Sequence, residues 1–191
     1  MKISPCTLVS EDDYLRLETS SPFKSEFVAG NIYAMTGASL RHNVIAGNVF
    51  SVLRAHVRGS PCRAFMSDAK LRVAKFSSYY YPDVMVTCDP RHQSVSSADT
   101  TVETPRLLVE ILSTSTEATD RREKLQAYRS LPSLREYMLI SQESASIEIH
   151  RRQGDIGWQV ITLSPGDPVE LTSVELLTNF AAIYEESGVE L

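Results

Sequence analysis

Hydrophobic positions change period several times along the chain, and each change predicts a different element. Ser39–Val57 has the clearest helical period: Ile45, Val49, Val52, Leu53 and His56 share one side, Ser39 stands where a cap belongs, and Gly59 supplies the stop. A shorter helix is predicted over Ser10–Thr19, with Ser10 as cap and Glu11, Asp12 and Asp13 at the positive end of the helix dipole. Ser25–Met35 reads as two short strands broken at Ala29-Gly30. Phe65–Val73 alternates, with Phe65, Ala69, Leu71 and Val73 on one face and Asp68, Lys70 and Arg72 on the other, which predicts one half-exposed strand. Tyr79–Thr87 predicts a strand with Pro82 near its start. Asp89–Thr104 is polar and too long for an ordinary connection, so a loop that is mobile, functional or both is expected there.

Arg106–Leu112 is different. Its apolar run predicts a central strand covered on both faces. Glu117–Ser130 follows as a helix stopped before Pro132, then strands at Glu136–Ile140, Ile147–Arg151 and Trp158–Leu163, and a closing helix at Thr178–Glu185. This order predicts an α/β fold, a mixed sheet with helices packed on it.

At 191 residues the chain suits one domain with a sizeable core. Hydrophobic residues at 42% and charged residues at 23% exclude wholesale disorder. No apolar run approaches the roughly 18 residues that span a bilayer. Met1-Lys2-Ile3-Ser4-Pro5 lacks the apolar core of a secretory signal, and Cys6, Cys62 and Cys88 form no CxxC pair. Reduced thiols and a cytoplasmic location are therefore expected. The net charge of −5 argues against a broadly basic surface, so any grip on nucleic acid has to be local.

The acids change the picture. Glu110 interrupts Leu107-Leu108-Val109 and Ile111-Leu112, and an ionised carboxylate in such a strand costs several kcal/mol unless paired or metal-bound. Asp83 follows Tyr81-Pro82 at the edge of a second apolar strand. Two inward carboxylates from one sheet make an oxygen-rich site suited to Mg²⁺ or Mn²⁺. Glu117, Asp120, Lys124 and Tyr128 recur at spacings of three or four, a polar stripe that can bring the Lys124 ammonium to those acids. The plainer expectation for Asp120 and Lys124 is a solvent-facing ion pair. For His42 it is a satisfied structural histidine, for Lys70 a surface role, and for Tyr79-Tyr80-Tyr81 packing within a strand. Ser113–Thr116 has no histidine close in sequence to activate a nucleophile, and Thr114 and Glu117 stand at capping-box spacing.

Pro82-Asp83, then Leu107 through Thr116, then Asp120, Lys124 and Tyr128, then Glu136-Tyr137 together resemble the Uma2 family, as do Gly30 through Met35 and Arg41-His42-Asn43. That family belongs with the endonucleases of the PD-(D/E)XK superfamily, and the resemblance covers roughly Glu26 to Glu185. It implies a restriction-endonuclease-like core with flanking helices and an antiparallel C-terminal extension. It also implies Mg²⁺ or Mn²⁺ held by Asp83, Glu110 and the Ile111 carbonyl, Lys124 as a lysine migrated to the next helix, and support from Glu26, His42 and Asp120. DNA is the implied partner, and a homodimer is expected because cutting two strands takes two sites. Two positions depart from the pattern: Leu112 stands where the simple superfamily motif has lysine, and Asn31 follows Gly30 where an acid is usual, with Glu26 close enough in sequence to substitute. A catalytically silent binding module on the same fold, and a hydrolase of small phosphorylated compounds, are the rival expectations.

Overall fold

The computed structural model describes residues 8–35, 37–94, 96 and 100–191. Helix α1 (Glu11–Ser20) starts at Ser10, whose hydroxyl accepts the Asp13 amide. Strands β1 (Ser25–Val28) and β2 (Asn31–Ala34) form the expected hairpin. Ala29 and Gly30 both take positive φ, which the two-residue turn requires. Helix α2 (Leu40–His56) is capped by Ser39 and buries Ile45, Ala46, Val49 and Leu53. His56, expected on that buried side, is exposed and bonds to the Val174 carbonyl.

The next two predicted strands are each split in two. Phe65–Val73 comprises β3 (Arg63–Met66) and β4 (Lys70–Val73), separated by a turn in which Ser67 has positive φ. Tyr79–Thr87 comprises β5 (Ser78–Tyr80) and β6 (Val84–Thr87), separated at Tyr81-Pro82-Asp83. At both breaks the chain passes from one sheet to another. After β7 (Thr101–Val102) and β8 (Pro105–Leu112), the five-stranded sheet runs β2-β1-β5-β4-β7. The six-stranded sheet runs β11-β10-β9-β8-β6-β3, where β9 is Glu136–Ser141, β10 Ile147–Arg152 and β11 Trp158–Leu163. Part of the expected Asp89–Thr104 loop is thus strand, since β7 pairs in parallel with β4.

Strands β8 and β9 are parallel, so a crossover joins them: α3 (Glu117–Thr119), a π turn (Asp120–Lys124) and α4 (Leu125–Arg129). The remaining ladders of the six-stranded sheet are antiparallel. A hairpin missed in the sequence, β12 (Val169–Leu171) with β13 (Leu176–Thr178), precedes α5 (Phe180–Tyr184).

Period-two alternation along β8 divides the core. Leu107, Val109 and Ile111 pack with α2 and α5 on one face, and Leu108 and Leu112 pack with Tyr80, Tyr128 and Tyr137 on the other. Glu110 has the parity of that second face. It therefore points toward the crossover helix.

Cys62 and Cys88 are joined in a disulfide, which corrects the expectation of reduced thiols. The cause is register: Arg63 lies opposite Thr87 in the β3–β6 ladder, so the next residues outward face each other with Cα atoms 3.9 Å apart. Cys6 lies outside the described residues. Among the described residues no helix is long and apolar enough to cross a membrane.

Candidate active site

Pro82 has no amide to continue a ladder, and β6 turns away from β8 just there. The Asp83 side chain fills the gap: its Oδ2 accepts the Ile111 N–H at 2.8 Å, the bond that an extended β6 would otherwise have supplied. The Asp83 amide in turn lies 3.4 Å from Glu110 Oε2. The two acids expected to work together are therefore neighbours across the β6–β8 junction.

Glu110 is 3% exposed, Lys124 7% and Asp120 2%. The ammonium of Lys124 lies 3.1 Å from Glu110 Oε1 and 3.2 Å from both Glu26 Oε1 and Asp120 Oδ1. The surface ion pair expected for Asp120 and Lys124 is thus a buried one. Three polar side chains face inward because the crossover helix changes pitch. A four-residue step in an α-helix overshoots a full turn, and in the wider π turn it falls short. One step of each kind leaves Asp120, Lys124 and Tyr128 aimed at the same strand, all buried.

Glu26 reaches the cluster from the other sheet, and its Oε1 also accepts the Tyr81 amide at 3.2 Å. His42, in the first turn of α2, has Nε2 3.2 Å from Asp83 Oδ2. Asp83 and His42 side chains are 17% and 14% exposed, so the cluster opens to solvent on their side while Glu110 and Lys124 form its floor. A hollow of about 600 Å³ lined by Pro165, Asp167, Leu177, Phe180 and Leu191 lies at the C-terminal hairpin and is lined by none of these residues.

Acids outnumber cations here, and the protonation equilibria follow. Burial raises the Glu110 pKa well above its ordinary value, and Asp120, Asp83 and Glu26 add to that against the opposing pull of Lys124. Burial alone would lower the Lys124 pKa, yet Glu110, Glu26 and Asp120 hold it well above the usual lysine range. Burial and the Glu110 charge likewise raise the Tyr128 phenol, which stays a donor. For His42, burial pulls the pKa down, but the Asp83 hydrogen bond and charge and the Ile111 carbonyl raise it overall.

Oxygen donors that outnumber the local cations fit a hard divalent cation. Asp120 Oδ1 supports this, because among the described residues no donor approaches it in hydrogen-bonding geometry although the ammonium is close. Among the described residues no three His, Cys, Asp or Glu side chains stand together as a formed metal group. The physical reason lies in the contacts: Asp83 holds Ile111 N–H and His42, while Glu110 Oε1 holds Lys124 and Tyr128.

Elsewhere two expectations are corrected. Lys70 is buried and ion-paired with Glu18, which also accepts the Tyr81 hydroxyl. The capping box expected at Thr114 and Glu117 is not formed; Thr116 precedes α3 without a side-chain cap bond, and the Ser113 hydroxyl meets Ser115 and Thr116. Tyr79, Tyr80 and Tyr81 are buried, as packing residues are expected to be. The Tyr128 hydroxyl, 2.9 Å from Glu110 Oε1, went unassigned in the sequence, although its four-residue spacing from Lys124 was the available signal.

A mixed sheet with a helical crossover and flanking helices places the chain in the class of restriction-endonuclease-like α/β proteins. It shares this fold with a crystal structure titled a "putative nuclease belonging to DUF820" from Anabaena variabilis, at a TM-score of 0.74 over 92% of this chain and 97% of that one. Identity there is 18%, so the likeness is one of fold. Residues 11–182 match the Uma2 family model, described as "Putative restriction endonuclease", and the chain belongs to the Uma2 family. Two uncharacterized proteins of Synechocystis sp. strain PCC 6803 are similar over nearly their whole length. The one designated slr1290 is 35% identical over 95% of this chain and 94% of its own, and sll1609 is 33% identical over 90% and 96%.

Proposed function

We propose that this protein is a divalent-metal-dependent endonuclease that hydrolyses phosphodiester bonds of DNA. The observation carrying this reading is the junction of β6 and β8, where Asp83 and Glu110 adjoin beneath an opening and Lys124 enters from the crossover helix. Asp83, Glu110 and the Ile111 carbonyl would hold Mg²⁺ or Mn²⁺. When bound, such a cation polarises a phosphate oxygen and offsets the charge of the transition state.

The protein groups divide the remaining work. Lys124, kept charged by its three acids, donates hydrogen bonds to an attacking water and balances negative charge; its raised pKa makes it a poor proton acceptor. Glu26 and Asp120 fix the ammonium in place. His42, on the partly buried rim of the opening, offers a donor to Asp83 or to an incoming phosphate oxygen. In hydrolysis a water oxygen bonds to phosphorus as the bond to the leaving sugar oxygen breaks, and that oxygen ends protonated.

Incubating the purified chain with supercoiled plasmid and Mg²⁺ or Mn²⁺ tests the reading. Metal-dependent nicking that disappears in Asp83→Asn and Glu110→Gln is expected. Equal nicking by the double variant would refute it. A binding module without catalysis is the second reading. It is favoured by the protein donors already seated on Asp83 and Glu110 Oε1, together with Leu112 at the motif lysine position. Calorimetry with Mn²⁺ separates the two, since a silent module takes up no cation. A homodimer in the cytoplasm remains part of the first proposal, to be read by sedimentation with and without DNA.

A further inference from the structure

Tyr128 lies one α-helical turn beyond Lys124, and both donate to the same atom. Glu110 Oε1 receives Lys124 Nζ at 3.1 Å and the Tyr128 hydroxyl at 2.9 Å, while among the described residues Oε2 meets only the Asp83 amide at 3.4 Å. The carboxylate is therefore held asymmetrically. One oxygen is saturated from the helix side, and the other is left on the side of Asp83, where the cluster opens.

We propose that Tyr128 is a positioning residue that locks the Glu110 carboxylate so that Oε2 is presented beside Asp83 for a ligand. The proposal rests on the metal-dependent reading above and adds a residue that the metal-site assignment does not contain. Its physical basis is that one donor fixes a carboxylate oxygen but leaves the group free to turn about that contact, whereas a second donor on a rigid ring removes that freedom. The Tyr128 ring is clamped edge-to-face between Tyr80 and Tyr137, with centroids 5.5 and 5.1 Å away, so its hydroxyl is a fixed point. The phenol is fully buried, so water does not compete for its contact with Glu110. Groups that orient a metal ligand from behind typically change metal affinity by about 10- to 100-fold when removed.

Tyr128→Phe in the full chain is the test, because it deletes the hydroxyl and keeps the clamped ring. Tyr80→Phe is the control, since that hydroxyl points toward Glu123 at 3.5 Å and not toward Glu110. In calorimetry with Mn²⁺, Tyr128→Phe should bind about tenfold or more weakly, and Tyr80→Phe should bind as the wild type does. In metal-free buffer the Asp83 amide resonance should shift in Tyr128→Phe alone, because its neighbour Oε2 is released. An unchanged Mn²⁺ affinity in a folded Tyr128→Phe overturns the proposal. If the wild type itself takes up no Mn²⁺, the metal reading fails separately, and the Asp83 amide then decides whether Tyr128 positions Glu110: a shift supports it and an unmoved resonance overturns it. The wild type gives a further check that needs no folded variant, because a Tyr128 hydroxyl proton held by a carboxylate exchanges slowly with solvent. Fast exchange would overturn the contact.

Discussion

Asp83 Oδ2 accepts the main-chain N–H of Ile111 at 2.8 Å, so one side chain completes a β-ladder and lines the candidate active site at the same time. Structure and chemistry are therefore coupled at this residue, and substitutions there separate the two.

Asp83→Asn keeps a side-chain oxygen for the Ile111 amide and removes the charge. It should fold with nearly wild-type stability while losing any metal-dependent cleavage. Asp83→Ala leaves the amide without that partner, which should cost about 1–3 kcal/mol. Urea unfolding of both variants checks this. Equal stability of the two would mean that the ladder bond contributes nothing.

Lys124→Met should be the most damaging single change in the cluster. It strands Glu110, Glu26 and Asp120 around an apolar tip, and breaking a buried ion pair this way typically costs about 3–5 kcal/mol. Adding Glu110→Gln should recover part of the loss, because it removes one of the buried acids that crowd the site once the ammonium is gone. A double-mutant cycle in urea reads the coupling, and strictly additive effects would contradict the ion-pair account.

A second network contributes to the acid limb of stability. Burial pulls the His150 pKa below its ordinary 6.5, and although burial would raise Glu148, its bonds to Arg121 and His150 bring it below 4.5. As pH falls through about 6.5, unfolded chains protonate His150 sooner than folded ones. Further down, near 4.5, unfolded chains protonate Glu148 first. In both windows the unfolded state binds more protons, so stability declines with falling pH. Glu148→Gln should flatten the lower window, measured as unfolding free energy between pH 3 and 7. A variant as acid-sensitive as the wild type would exclude Glu148 as a source.

The sequence carried the crossover unit well, for a local reason. An apolar run broken by one acid, followed by a helix with a polar stripe, places Glu110 and Lys124 without knowledge of distant contacts. Phe65–Val73 and Tyr79–Thr87 were read as single strands because their apolar patterns run on through the breaks. What splits them is the positive φ at Ser67 and the turn at Pro82, with each half pairing in a different sheet. Buried Lys70 reads as polar until Glu18 in α1 is brought against it, a contact 52 residues away. Glu26 was tied to the site through the family pattern, and its tie to Lys124 and Tyr81 depends on how the two sheets meet.

The disulfide was hidden for the same reason, since only the β3–β6 register brings Cys62 opposite Cys88. With the cysteines 26 positions apart in sequence, cross-linking the unfolded chain should stabilise the fold by about 3.5 kcal/mol on the loop-entropy model. Both cysteines are half-buried, and unfolding exposes them to reductant. Dithiothreitol should therefore lower the urea midpoint of the wild type and leave Cys62→Ser/Cys88→Ser unchanged, with the reduced wild type coinciding with the double variant. The disulfide sits at the end of β6 remote from Asp83, so metal binding under native conditions should survive reduction even as the unfolding midpoint drops. Identical midpoints with and without reductant would show that the cross-link adds no stability, and a loss of metal binding on reduction would show that the β3–β6 ladder holds Asp83 only when both ends are pinned.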